Sequence, residues 1–283
     1  MSPALAAVGA GLSRGRIELQ RTLTTPGDLI SILVTSAGLL IAMIWNRHAS
    51  VPGTRASLGT TMLVSVLGLN VVIYGVVTMG DLLVVEREDG TLLRAKATPN
   101  GMVGYLVGKL VNISAQITLV VAITLLTGAV LFTGLAVGGV GTWLTLVWVL
   151  LLGMLATLPI GAVLGSLFPS QRSAGPVWLL LLGGLGTISG IFYPITHLPT
   201  ALQWIGQVFP LYWLGLGMRS ALLPNTMATV EIAHSWRHLA TFAVLSAWAL
   251  AGLVLAPAML RRAARRESGS TVTARRDRAM RRP

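Results

Sequence analysis

The sequence predicts an all-α integral membrane protein. It has six transmembrane helices, an N-terminal amphipathic interfacial helix, and short re-entrant helices in the outer loop between spans five and six. Three observations carry this. Hydrophobic residues make up 54% of the chain and charged residues 11%, with a mean hydropathy of +0.76, far from soluble-domain values. Several apolar runs reach the ~20 residues that a bilayer crossing needs. The basic residues gather at the flanks of those runs and in the tail, so the formal charge of +12 reads as topology rather than nucleic-acid binding. The 283 residues hold one membrane domain, 1–260, and a basic cytoplasmic tail, 261–283, predicted disordered. No long stretch of mixed composition remains for a soluble domain. With no cysteine, a disulfide framework, a thiolate metal site and a cysteine nucleophile are all excluded.

The first eleven residues are small and apolar without a basic leader region, which argues against a signal peptide. Over 14–25, Leu12, Leu19 and Leu23 share one helical face and the charged residues lie mostly elsewhere, so an interfacial helix is expected, ended by Pro26-Gly27. Spans are placed at about 29–45, 58–85, 102–132, 142–168, 176–193 and 238–260. Trp45 sits at headgroup level. The second run is longer than a bilayer requires, so its end from Asp81 onward projects into water. Lys109 snorkels to the interface. Pro159 kinks span four, and Pro176 opens span five at a first-turn position.

The tail sets the orientation, with nine arginines between Arg261 and Arg282. Six spans put both termini on one side. That side collects the basic residues of the leader, of the loops after spans two and four, and of the tail. The opposite side keeps only Arg47, Arg55, Arg219 and Arg237, so both termini are cytoplasmic at the cell membrane. The run 204–218 is apolar but short and broken by Pro210, Gly215 and Gly217. It is read as re-entrant or interfacial on the outer face, with Trp204, Tyr212 and Trp213 near headgroups.

Catalytic patterns are missing. There is no HExxH and no G-x-S-x-G, and the four histidines, all on the outer side, lack ligand spacing with carboxylates, so no metal site or catalytic residue is assigned. Gly104–Lys109 approaches a P-loop but is one residue short between its glycines, has Leu110 where Ser or Thr belongs, and runs into an apolar helix. No acidic residue lies deep in a span, which disfavours an ion-coupled carrier. Asn70 and Gln116 read first as interhelical hydrogen-bonding groups, and Asn70, Tyr74, Thr187 and Phe192 as candidates for a substrate path. Gly-x-x-x-Gly pairs such as Gly104/Gly108, Gly134/Gly138, Gly161/Gly165 and Gly186/Gly190 are a weak pattern in apolar sequence.

One stretch does not fit a lipid-embedded chain. Residues 86–99, following span two, hold Glu86, Glu88 and Asp89, three of the nine acidic residues, beside Arg87, Arg94 and Lys96. This loop, EREDGTLLRAKATPNGMVGYLVGK, and the outer segment SGIFYPITHLPTALQWIGQVFPLYWLGLGMRSALL, together with the span order, resemble an ABC-2 type exporter permease of the daunorubicin- and multidrug-resistance-like kind. The resemblance covers nearly the whole chain and rests most on Glu86, Glu88, Gly90, Thr91, Leu92 and Pro99, with Pro194, Leu198, Pro199 and Pro210 outside. The arginine tail departs from the commoner pattern.

The resemblance implies that Glu86, Arg87, Glu88, Asp89, Gly90, Thr91, Leu92, Leu93 and Arg94 form a coupling helix docking on a separate ATPase subunit. Gln171 and Arg172, in the loop after span four, make a smaller second contact. Two permease chains, identical or homologous, assemble with two ATPase subunits. ATP and Mg²⁺ sit on those partners, so this chain carries no cofactor and is not by itself an enzyme. The cargo implied is an amphiphilic drug or natural product, with a lipid or glycan precursor as the alternative. A secondary carrier or a membrane-embedded enzyme are the readings from other classes.

Overall fold

The computed structural model describes residues 3–51, 54, 56–91 and 101–266. Among these the chain is helical, with one isolated β-bridge, Ser50 to Ser57, and no strand. The order is α1 (Pro3–Thr24), α2 (Pro26–Trp45), α3 (Leu58–Val72), a π-helical segment (Ile73–Thr78), α4 (Met79–Glu88), α5 (Gly101–Leu131), α6 (Val140–Leu167), α7 (Gln171–Ile188), α8 (Thr200–Val208), α9 (Pro210–Leu222) and α10 (His238–Arg266). Four described helices are long and apolar enough to cross a membrane: Leu58–Glu88, Gly104–Leu131, Val140–Leu167 and His238–Leu260. The Arg-rich tail beyond 266 lies outside the described residues.

The continuous rod Leu58–Glu88 is the centre of the molecule. Ser57 caps its start by accepting from the Thr60 amide. At 31 residues it is roughly 46 Å long, and its most apolar window is 83% buried, against 28% for the last helix. A rod apolar all round is a buried rod. It lies beside α6 with almost nothing between the backbones. A Cβ on Gly75 would come within 2.1 Å of Thr157 Oγ1, one on Gly161 within 2.3 Å of the Gly75 carbonyl, and one on Gly165 within 2.4 Å of the Gly80 carbonyl. The matched order 75–157, 76–161 and 80–165 means the two helices run the same way. Gly128 against Leu63 and Thr124 against Asn70 show α5 running the opposite way along α3. Trp148 meets Phe242 and Pro159 would touch a Cβ on Gly252, so α10 runs with α6.

The π segment was not legible in sequence. It adds a residue to one turn beside Gly75, where the rod presses closest on α6. Two other expectations shift. Helix α6 continues through Pro159 as one element, and α7 starts at Gln171, so Pro176 sits inside the helix rather than in its first turn.

The outer segment 195–237 differs most from expectation. Helices α8 and α9 form a hairpin whose turn, at Phe209, points inward. The Val208 carbonyl accepts from Trp248 Nε1, roughly 15 Å along α10 from its start, and Leu214 presses on Gly153, roughly 20 Å along α6. Trp204 is exposed as expected, but Tyr212 and Trp213 are buried in protein, because α9 wedges between α3 and α6 at Gly68, Gly215 and Gly217. The most buried charge is here as well. Arg219, placed by the sequence among outer-loop basic residues, is 2% exposed. It donates to both carboxylate oxygens of Glu231 (2.6 and 3.3 Å), to Ser65 Oγ (2.9 Å) and to the Gly190 carbonyl (3.2 Å), where Gly190 holds φ +70°. One guanidinium thus ties α9, α3, the end of α7 and the loop before α10 together.

Two outcomes are expected. Gly161→Ala forces backbone apart and lowers thermal stability in detergent by about 1–3 kcal/mol, whereas Gly183→Ala, which meets open space, leaves the melting point unchanged. Arg219→Met strands the buried Glu231 carboxylate and costs about 3–5 kcal/mol by the same melt.

Candidate functional site

At the end of the rod away from the hairpin, four chain segments converge around the charged stretch. Helix α4 ends at Glu88 because Gly90, at φ +72°, turns the chain left-handed, and the Asp89 amide closes the last turn on the Val85 carbonyl. Of the predicted coupling residues, Glu88 and Asp89 are exposed, and Gly90 and Thr91 are half-buried at the tip. Leu92, Leu93 and Arg94 lie outside the described residues.

Glu86 and Arg87 face inward. Arg87 is 8% exposed and donates to the carbonyls of Phe168 (2.9 Å) and Ser166 (3.0 Å), at and just beyond the end of α6. Those carbonyls have no partner within the helix, and a cation there also meets the negative end of the helix dipole. About two helical turns back, Asp81 accepts from Gln171 Nε2 (3.1 Å), and Gly80 abuts Trp178, which stacks edge-on against Phe168. The structure therefore brings the predicted primary and secondary contacts together: Gln171 braces α4, and Arg172 is exposed beside it.

On the other side of α4 is a buried knot of charge. Lys109, expected to snorkel to the interface, is instead 3% exposed. It binds Glu18 of α1 at 2.7 Å and Glu86 of α4 at 2.5 Å. Arg14 pairs with Glu18 at 2.9 Å, and the Tyr105 ring lies under both Arg14 and Lys109. Helix α1 does not stand apart in the lipid interface. It runs beside the first half of α5 in the same direction, with Gly11 and Gly15 set against the backbone of Gly104 and Gly108 so closely that a Cβ would lie within 2.6–2.8 Å of a carbonyl. Leu12, Ile17 and Leu23 face away from the protein. Burial raises the Glu18 carboxyl, but hydrogen bonds and charge from Lys109 and Arg14 outweigh it and hold the group below its usual 4.5.

The candidate path residues do not form one cluster in a single chain. Asn70 is buried and donates to Thr124 Oγ1 (3.3 Å), an interhelical bond, and Tyr74 is buried in the π segment. Thr187 is exposed on α7 beside half-buried Phe192. Gln116 bonds Asn112 within its own helix. No group of three His, Asp or Glu able to hold a metal occurs among the described residues.

Sequence reasoning missed Arg14, Glu18, Asp81 and Lys109. The signal was present: Arg14 and Glu18 stand four apart, and Gly11-x-x-x-Gly15 repeats the spacing of Gly104-x-x-x-Gly108. It also missed that ionisable groups are buried at both ends of the rod. The argument against an ion-coupled carrier from their absence therefore falls, and class rests on other grounds.

The described chain is thus a bundle of long apolar helices whose central rod ends in a braced, charged tip beside a second loop. The family profile described as ABC-2 family transporter protein matches residues 49–251, most of the chain, and the chain belongs to that family. Membership implies partnership with ABC ATPases and a membrane location. Among curated proteins none gives a significant match.

The lowered Glu18 carboxyl has a pH consequence. Its stabilising contribution is complete above the ordinary glutamate value of 4.5 and is lost as pH falls below it. Amide exchange in α1 is expected to accelerate on acidification through that range. Glu18→Gln abolishes this pH dependence while raising exchange at neutral pH.

Proposed function

We propose that the chain is the permease subunit of an ATP-driven exporter, moving an amphiphilic drug or natural product out of the cell. Two permease chains, identical or homologous, work with two separate ATPase subunits that bind ATP and Mg²⁺ and carry the catalysis. The observation that carries this reading is the brace from Arg87 to the carbonyls at the end of α6 and from Gln171 to Asp81. It makes the loops after spans two and four one body at the end of the central rod, so a push on the tip is delivered along α3 and α6 together. Glu88, Asp89 and Arg172 are the described charges left exposed for the ATPase, and Leu92, Leu93 and Arg94 complete the contact.

Six crossings are part of the same proposal. Helix α7 begins against Asp81 and leads to Gly190, whose carbonyl meets Arg219 beside Ser65, and those rod positions lie roughly 24 Å apart. Helix α2, at 20 residues, is long enough for the sixth, and Met43 packs on Gly59 at the outer end. Alternation then puts both termini in the cytoplasm of a multi-pass cell-membrane protein, with α8 and α9 re-entrant from outside. The proposed path residues Asn70, Tyr74, Thr187 and Phe192 offer amide, hydroxyl and aromatic surface without fixed charge. That suits an amphiphile better than a phosphorylated lipid or glycan precursor, the alternative cargo.

The test is co-purification with a co-expressed ABC ATPase from the same organism, comparing wild type with a Glu88→Lys/Asp89→Lys double variant. Wild type is expected to carry the ATPase along. The double variant, still inserted and monodisperse, is expected to lose it or to hydrolyse ATP without transport. A double variant that binds and transports as wild type does would overturn the assignment of this tip.

A further inference from the structure

Glu86 was expected to dock on the ATPase with the rest of the 86–94 stretch, yet its carboxylate is paired within the chain. The Lys109 ammonium sits between two carboxylates from two different helices, Glu18 of α1 and Glu86 of α4, and is almost wholly buried. The groups facing it are Glu18, Glu86, the ring of Tyr105 on its own helix and, through Glu18, Arg14. A buried ammonium is tolerated where carboxylates neutralise it, and removing one member leaves an uncompensated charge. Such a knot therefore holds its members in one register. The glycine contacts between α1 and α5 add a second, independent fit. They fix α1 along α5 but make no contact with α4.

We infer that Lys109 and Glu18 are positioning residues for the coupling tip: through Glu86 they make α1 part of the body that moves when an ATPase pushes on α4. This rests on the coupling role proposed above and deepens it. Arg87 ties the tip to α6 on one side, and Lys109 ties it to α5 and α1 on the other. The N-terminal helix, whose Leu12, Ile17 and Leu23 face outward, is then carried with the tip instead of resting as a passive anchor. Loss of the lock leaves α1 seated on α5 by its glycines and α4 held by α6 and α7, with nothing fixing one pair against the other.

The absence of native cysteine makes a direct test clean. Spin labels placed by Gln20→Cys on α1 and Asp89→Cys at the tip of the full-length chain, in lipid nanodiscs, report the separation of the two elements. A narrow distance distribution is expected with Lys109 and with Lys109→Arg, and loss of that narrow peak with Lys109→Met or Glu18→Gln. Retention of it in both of these variants would overturn the lock. A label pair on α1 and α5, at Gln20→Cys and Leu126→Cys, should stay narrow in every variant that folds. Broadening there in Glu18→Gln as well would assign Glu18 a merely structural role and defeat the proposal. None of these readings needs an ATPase, so they stand apart from failure of the coupling assignment itself. In the complex trapped with ATP and vanadate, the distance between α1 and the tip should hold while the distance from the tip to a label at Leu250→Cys on α10 changes. An equal change in both would also contradict the inference.

Discussion

The contact between the central rod and α6 governs the rest of the architecture. Gly161 and Gly165 of α6 meet the rod's backbone at Gly75, Val76 and Gly80, and Thr157 closes on Gly75, so the pair behaves as one stiff element. In hydrocarbon there is no hydrophobic drive for one apolar helix to prefer another, and close backbone packing supplies the specificity. The π segment falls at this tightest contact, between the outer half of the rod, held by α5 and α9, and the inner half, held by α7 and the knot of charge. A π turn at that point lets the ends differ in helical phase, which is how one rod satisfies two sets of neighbours.

Charge is placed by the same logic at both ends. At one end of the rod Arg219 joins the α8–α9 hairpin to Glu231, Ser65 and Gly190. At the other, Lys109 joins α1, α4 and α5, and Arg87 holds the end of α6. Buried ion pairs are weak arguments for net stability, because desolvation offsets their attraction. They are strong arguments for register, since each of these cations satisfies several groups that only one arrangement brings within reach. The middle of the rod carries none of them. It is held by Asn70 to Thr124, by the close glycine contacts and by buried apolar side chains.

Much of this was readable in the chain. Apolar length marked the four helices long enough to cross a membrane, because lipid admits few other structures. The end of α4 was not read: the expected coupling helix ran from Glu86 through Arg94, whereas Gly90 at φ +72° ends the helix at Glu88. Partner choice was not readable. Lys109 near the start of an apolar run looks the same whether it reaches for water or for two carboxylates, and Arg219 looks the same in an outer loop or a buried clamp. Glu18 lies 91 residues from Lys109 and Ser65 lies 154 from Arg219, so no local pattern links them. Tyr212 and Trp213 misled because interface belts and buried cores both favour aromatic residues with a polar edge.

The central claim is that the braced tip of the rod receives the force of an ATPase. A photo-crosslinking amino acid placed at Asp89, and separately at the outer Thr229, tests it in native membranes. The account predicts a covalent adduct with an ATPase subunit from position 89 and none from 229. No adduct at 89, or one at 229, would contradict it.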